Sequence, residues 1–360
     1  MPNSTPTPQA HRNRPVTETR SGRKAPRERG QRADNRASDD SHVAKPQVAH
    51  AIIDQLARTL STNRGAIELA VMTLCAGGHL LLEDVPGIGK TTLARALATS
   101  VQARVNRIQF TSDMLPSDLT GVSVFDQQAR RFSFVPGPLF ADMVLADEIN
   151  RANPKTQAAM LEAMGEGRVS VDGTSYELPR PYFVIATQNP VDMEGTYPLP
   201  EAQLDRFTAR ISLGYPSVKA EAAMLVTPSG TDPVTRVQPI CTTTDLRRII
   251  AQVARVHVSP AVAEYAVALL GATRTHPAVR LGASPRAGLA LLAMSRARAW
   301  LRGQEAVFPG DVRAMAIPTL AHRILFSTSA GSAGIDGGRA LDRQQALLTE
   351  VIKTVPAPRA

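Results

Sequence analysis

Asp84-Val85-Pro86-Gly87-Ile88-Gly89-Lys90-Thr91 stands between a short apolar run, HLLLE at 79–83, and a stretch with Leu93, Leu97 and Val101 at helical spacing. Strand, Gly-rich turn and helix in that order bring backbone N–H groups and a positive helix end to bear on phosphate oxygens. In that setting Lys90 reaches the β- and γ-phosphates of a nucleotide, and the Thr91 hydroxyl offers an oxygen to Mg²⁺. The binding loop is read as Pro86, Gly87, Ile88, Gly89, Lys90, Thr91 and Thr92. One position departs from the strict phosphate-loop pattern: five residues before Gly89, where glycine is expected, stands Asp84.

A second run, Met143-Val144-Leu145-Ala146-Asp147-Glu148, ends an apolar strand in two adjacent carboxylates. Such a pair is costly at a strand end unless a cation or polar ligand sits there. Asp147 is the expected partner of Mg²⁺, and Glu148 is placed to polarise the water that attacks a γ-phosphate. Taken alone the pair reads equally as an acidic helix start, but its order and spacing after the phosphate loop favour a nucleotidase. Three further positions are weaker. Asn189 closes the apolar run FVIATQ and suits a γ-phosphate sensor, although Asn189-Pro190 by itself reads as a turn. Arg206, in LDRF, reads as a surface arginine or as a phosphate ligand. Arg286 falls in the first turn of a helix started by Ser284-Pro285. A cation there opposes the helix dipole, which an anionic ligand would offset.

These residues need a scaffold of alternating strands and helices, hence a parallel sheet. The strands are HLLLE, MVLA at 143–146 and YFVIAT at 182–187. Asn153-Pro154 marks a helix start, with the helix ending at Gly165 or Gly167, and Asp172-Gly173 marks a hairpin within 168–178. Past residue 240 the pattern is purely helical. His79 reads as an edge residue, Cys75 and Trp300 as packing, and Arg151 as either an interface residue or one half of a surface ion pair. The 360 residues then divide into a disordered basic tail (1–45), an α/β core (46–239), an α-helical lid (240–326), and a linker with a terminal helix (327–360). The net charge of +9 follows the same division: +5 in the tail, −4 in the core, +7 in the lid and +1 at the end. The tail has no Leu, Ile, Phe, Tyr or Trp with which to offset the entropy of ordering. No run approaches the roughly 20 apolar residues of a membrane span. Two cysteines suggest no disulfide framework, and the polar N-terminus no secretory signal, so a cytoplasmic protein is expected.

The stretches LLEDVPGIGKT, RIQFTSDMLPSDLTG, FVPGPLF, LADEINRANPKTQAAMLEAMGEGRV, ATQNP and EAQLDRF, in this order, closely resemble the MoxR-type AAA+ ATPases. The resemblance covers about residues 46–326 and the terminal LTEVIKTVP. It implies a P-loop α/β domain with a five-stranded parallel sheet and an all-α lid. It also implies Walker A at Gly87–Thr91, Walker B at Asp147-Glu148, sensor 1 at Asn189, an arginine finger at Arg206 and sensor 2 at Arg286. Two inserted hairpins are implied, around 117–135 and at 168–178. Rings, usually hexamers, of an ATP- and Mg²⁺-dependent chaperone are implied as well. Its hydrolysis would swing the lid against the core to remodel protein clients during metal or cofactor insertion, beside a partner with a von Willebrand factor A domain.

A nucleic-acid remodeller is the competing reading, motivated by the basic tail and lid. Against it, the tail has no aromatics for base stacking and there is no helix-turn-helix or zinc module. Arg outnumbers Lys 35 to 6, which looks like genome composition rather than a binding patch. A nucleotide-gated binder without turnover is opposed by the full set of Lys90, Thr91, Asp147, Glu148, Asn189, Arg206 and Arg286.

Overall fold

The structure, a computed structural model, describes residues 45–84, 87–188, 196–216, 218–226, 232–327 and 337–358. Residues 1–44 of the basic tail, Pro86, Asn189 and most of the 327–339 linker therefore lie outside the described residues.

Two N-terminal helices, α1 (Pro46–Thr59) and α2 (Arg64–Cys75), lead into strand β1 (Leu80–Glu83), helix α3 (Lys90–Ser100), strand β2 (Val105–Gln109) and a short helix α4 (Pro116–Thr120). A hairpin follows, β3 (Gly121–Asp126) with β4 (Arg131–Pro136), and then β5 (Met143–Asp147) and α5 (Pro154–Glu166). A second hairpin, β6 (Arg168–Val171) with β7 (Thr174–Glu177), precedes β8 (Phe183–Gln188), the single turn α6 (Glu201–Leu204), β9 (Ala209–Ile211) and α7 (Val218–Val226). The remainder is mainly helical: α8 (Thr243–Arg255), α9 (Pro260–Thr275), α10 (Pro285–Leu301), α11 (Pro309–Leu320) and α12 (Gly337–Thr354). One small antiparallel pair, β10 (Val279–Leu281) with β11 (Leu325–Phe326), lies among them.

The expected α/β architecture is present. Among the described residues five strands form one parallel sheet in the order β2-β5-β8-β1-β9. Its central strands begin as unbroken apolar runs, 80–82, 143–146 and 183–186, because both faces are covered, and turn polar only at their carboxyl ends. Alternation still divides the side chains. Leu80, Leu82, Met143, Leu145, Phe183 and Ile185 enter one core with α1, α2, α3 and α8–α12. Leu81, Val144, Ala146, Val184 and Ala186 enter a second core with Ile108, Phe110, Leu119 and the inner face of α5. Each such buried aliphatic side chain stabilises the fold by about 1.5–3 kcal/mol.

Local signals behave as their chemistry requires. Asn153 caps α5 by accepting from the N–H groups of Lys155 and Thr156, with Pro154 at the first helical position. Gly167, at φ +66°, ends that helix. Asp172 and Gly173 both take positive φ, as a two-residue hairpin turn demands. The two hairpins meet where Phe134 stacks on Tyr176, their ring centroids 3.9 Å apart. No helix among the described residues is long and apolar enough to cross a membrane.

Candidate active site

The sheet order places the loop after β1 at a switch point. From β1 the chain runs to the far edge strand β2, while its two neighbours in the sheet are β8 and β9. Ligands bind beyond the carboxyl ends of strands at such a crevice. Asp147 ends β5 there, in register with Gln109 of β2, and Glu83 of β1 pairs with Gln188 of β8. A cleft of about 320 Å³ opens at this edge, lined by Gly87, Gly89, Lys90, Thr91, Asp147 and Glu148 among others.

Gly87 and Gly89 hold φ of +86° and +92°, a backbone conformation that other residues adopt only with strain. Gly89 is also the N-cap of α3, so that helix points its free N–H groups at the cleft. Ile88 turns away and packs against the apolar core. Lys90 is buried, and its Nζ donates to the main-chain oxygen of Asp84 at 2.7 Å. Burial lowers the Lys90 pKa from its usual range, opposed by Asp84, Asp147, Glu148 and Glu83. The departure at Asp84 has a structural reason. Its carboxylate accepts from Ser212 Oγ at 2.9 Å and from the Leu213 N–H, tying the phosphate-loop entrance to the segment after β9.

Asp147 is 5% exposed and receives three donors: Thr187 Oγ1 on Oδ1 at 3.2 Å, and Thr91 Oγ1 at 3.3 Å and Arg107 Nε at 2.7 Å on Oδ2. The Thr91 hydroxyl and the Asp147 carboxylate are hard oxygen donors side by side, a set that suits Mg²⁺ shared with nucleotide phosphates. Glu148 sits in the left-handed region at φ +55°, a conformation costing about 1–2 kcal/mol for a residue with a side chain. Its N–H donates to Thr187 Oγ1 at 2.9 Å, which holds the turn in place. Its Oε2 takes Gln109 Nε2 at 3.2 Å and Arg151 Nε at 2.9 Å. The ion-pair reading of Arg151 is thus realised with Glu148. Arg107, Gln109 and Thr187 were not singled out by sequence reasoning, although RIQF and ATQNP carry them.

Arg206 and Arg286 do not join this cleft. Both line a second one of about 290 Å³, with Asp205, Gly165 and Arg323, and the two clefts have no lining residue in common. Arg206 lies in the turn between α6 and the buried Phe207, and its guanidinium lies directly over Gly165 of α5. Arg286 is the second residue of α10, after the Ser284 cap and Pro285.

His79 has a structural part. Its Nδ1 accepts from the Val184 N–H at 3.1 Å, its Nε2 lies 3.2 Å from Met164 O, and burial lowers its pKa to about 4. Cys75, Cys241 and Trp300 are buried.

Residues 79–209 match the family described as "ATPase family associated with various cellular activities (AAA)", and residues 271–343 match "AAA lid domain". The Chaperone MoxR1 of Mycobacterium tuberculosis is 37% identical over 302 residues, covering 81% of this chain and 78% of that protein. The chain belongs to the MoxR family of AAA+ ATPases. YeaC of Bacillus subtilis, itself uncharacterized, is 43% identical to this MoxR-family chain over 306 residues, or 85% of this chain and 93% of that protein. A crystal structure from Cytophaga hutchinsonii superposes with a TM-score of 0.76 at 34% identity, over 87% of this chain and 96% of that one. ATP hydrolysis is therefore the activity of this MoxR-family protein.

Proposed function

We propose that this ATPase works as a ring in which each protomer binds ATP in its own phosphate-loop cleft and completes the site of its neighbour with Arg206 and Arg286. One observation carries the reading: the residues proposed to hold phosphate and metal and the two proposed arginines line separate clefts of one chain. Lys90, Thr91, Asp147 and Glu148 line the first, while the arginines line the second. A second protomer would bring the two sets together. Lys90 and the backbone N–H groups after Gly87 hold the phosphates, and Glu148, oriented by Gln109 and Arg151, accepts the proton of the attacking water. Thr91 and Asp147 hold Mg²⁺, which when bound neutralises charge on the β- and γ-phosphates. Arg206 and Arg286 stabilise the charge that develops on the transferred phosphoryl group. Asn189, directly after β8, is the proposed γ-phosphate sensor.

The cycle would serve a chaperone-like role on protein clients in the cytoplasm. The name of the mycobacterial relative supports this, as does the family resemblance, which adds hexamers, metal or cofactor insertion and a von Willebrand factor A domain partner. The test is phosphate release per protomer against protein concentration, with Mg²⁺ and with a chelator. Turnover per protomer should rise with concentration to a plateau and vanish with the chelator. A constant value from the most dilute sample upward would overturn the ring-interface reading.

Gly165 gives a narrower expectation. A Cβ at Gly165 would overlap the Arg206 guanidinium, and the flexible arginine would move rather than α5. Alanine is the better helix former, so Gly165→Ala should keep its melting temperature and its ATP affinity. Displacement of the guanidinium by about 1 Å should lower kcat by about 10²-fold. Unchanged turnover would show that the resting place of Arg206 over Gly165 has no bearing on catalysis.

A further inference from the structure

Arg323 lies in the helical turn directly after α11 and is 6% exposed. It is 118 residues beyond Asp205, yet its guanidinium addresses both neighbours of Arg206. Nη2 donates to Phe207 O at 2.6 Å and to Asp205 O at 3.2 Å, and Nε lies 3.4 Å from Asp205 Oδ1. The other carboxylate oxygen of Asp205 accepts from Ser284 Oγ at 2.9 Å. Ser284 in turn accepts from the Ala287 N–H at 3.1 Å, capping the helix that carries Arg286. Arg206 and Arg286 are thus joined through Arg323, Asp205 and Ser284, none of which has been given a role.

The electrostatics fit a brace rather than a simple ion pair. Three guanidinium groups, Arg206, Arg286 and Arg323, border one cleft with the single carboxylate of Asp205. Burial and the nearby Arg286 lower the Arg323 pKa to about 10 while Asp205 opposes them, so Arg323 is charged at neutral pH. His322, beside it, is kept neutral by burial and by the charges of Arg323 and Arg210. Nη1 of Arg323 is buried without a hydrogen-bond partner among the described residues. Holding excess positive charge and an unpaired donor in a semi-enclosed site is unfavourable for a resting protein. It is useful where an anion must arrive between fixed guanidinium groups.

We infer that Arg323 is a positioning residue, which clamps the main chain on both sides of Arg206 and, through Asp205 and Ser284, fixes Arg206 relative to Arg286. The inference rests on the reading that these two arginines act on the nucleotide of a neighbouring protomer. The planar fork of arginine turns Nη2 to the two carbonyl oxygens and Nε to the Asp205 carboxylate at the same time, whereas lysine offers one nitrogen in place of that fork. Arg323→Lys therefore keeps the charge and loses the clamp.

The test measures Arg323→Lys alone and mixed with Glu148→Gln, with an Arg206→Ala and Glu148→Gln mixture as control. Alone, Arg323→Lys should lose about 10²-fold in kcat, as for a displaced catalytic group, with unchanged ATP affinity. Mixed, it should regain turnover above the sum of its parts, because Glu148→Gln protomers present an intact arginine pair to its unaltered phosphate-loop cleft. Wild-type turnover by Arg323→Lys overturns the inference. So does a slow variant that the partner fails to rescue while the Arg206→Ala control is rescued, since the damage would then lie in its own site or fold. No rescue in the control removes the neighbouring-protomer reading, and the inference with it. Should Arg323→Lys fail to fold, Asp205→Asn, nearly isosteric and lacking the charge that faces Arg323, goes through the same arms with the same outcomes.

Discussion

Arg206→Ala is expected to lower ATP turnover by about 10³–10⁵-fold, the range for an arginine supplied to a phosphoryl-transfer site from outside it. That loss corresponds to about 4–7 kcal/mol of transition-state stabilisation. ATP affinity should hardly change, because Arg206 borders a cleft that has no residue in common with the one holding Lys90 and Thr91. Folding should be spared as well. Arg206 sits in a turn with its guanidinium over a glycine, and the buried contacts nearby belong to Asp205, Phe207 and Arg323. Single-turnover kinetics beside equilibrium nucleotide binding separate the two quantities. Unchanged turnover would remove Arg206 from the reaction, and a parallel loss of affinity would place it instead on the nucleotide of its own protomer.

The second large effect belongs to Glu148. Glu148→Gln preserves size and most hydrogen-bonding capacity, so the contact with Gln109 survives in kind while the proton-accepting carboxylate is lost. The ion pair with Arg151, half of it solvent-exposed, adds little to stability. A fall in kcat of about 10²–10⁴-fold with retained ATP binding is expected, the range for loss of a general base. Such a protein should persist in its ATP-bound state and hold any client engaged in that state, which a pull-down with ATP would reveal. Normal phosphate release would disqualify Glu148 as the group that activates water.

The residues behind these two effects were legible in the sequence to different depths. Lys90, Thr91, Asp147 and Glu148 announce themselves because their chemistry is local: glycines beside a lysine, and two acids after an apolar strand. The caps Asn153 and Ser284 and the Asp172-Gly173 turn are legible for the same reason. Arg107 and Gln109 were not, because only the register of β2 on β5 sets them beside Asp147 and Glu148. Asp84 looked like a flaw in a motif until the chain after β9 supplied its partners. That Arg286 joins Arg206 rather than Lys90 depends on how α10 packs, which no window of sequence carries. Arg323 lies further still from anything a motif could reveal. Asn189 lies outside the described residues.

The larger of the two apolar cores also limits how the molecule can move. It runs without a break from α1 and α2, across one face of the sheet, into α8–α12. Swinging the helical part open about a hinge would hydrate that cluster, at about 25 cal/mol for each Å² uncovered, and would raise the heat capacity. Close-packed helices tolerate small sliding displacements far better than separation. Nucleotide-driven motion in this ATPase is accordingly expected to be a shear, with helices shifting within their contacts, in place of the lid swing expected from the family resemblance, and melting should engage sheet and helices as one cooperative transition.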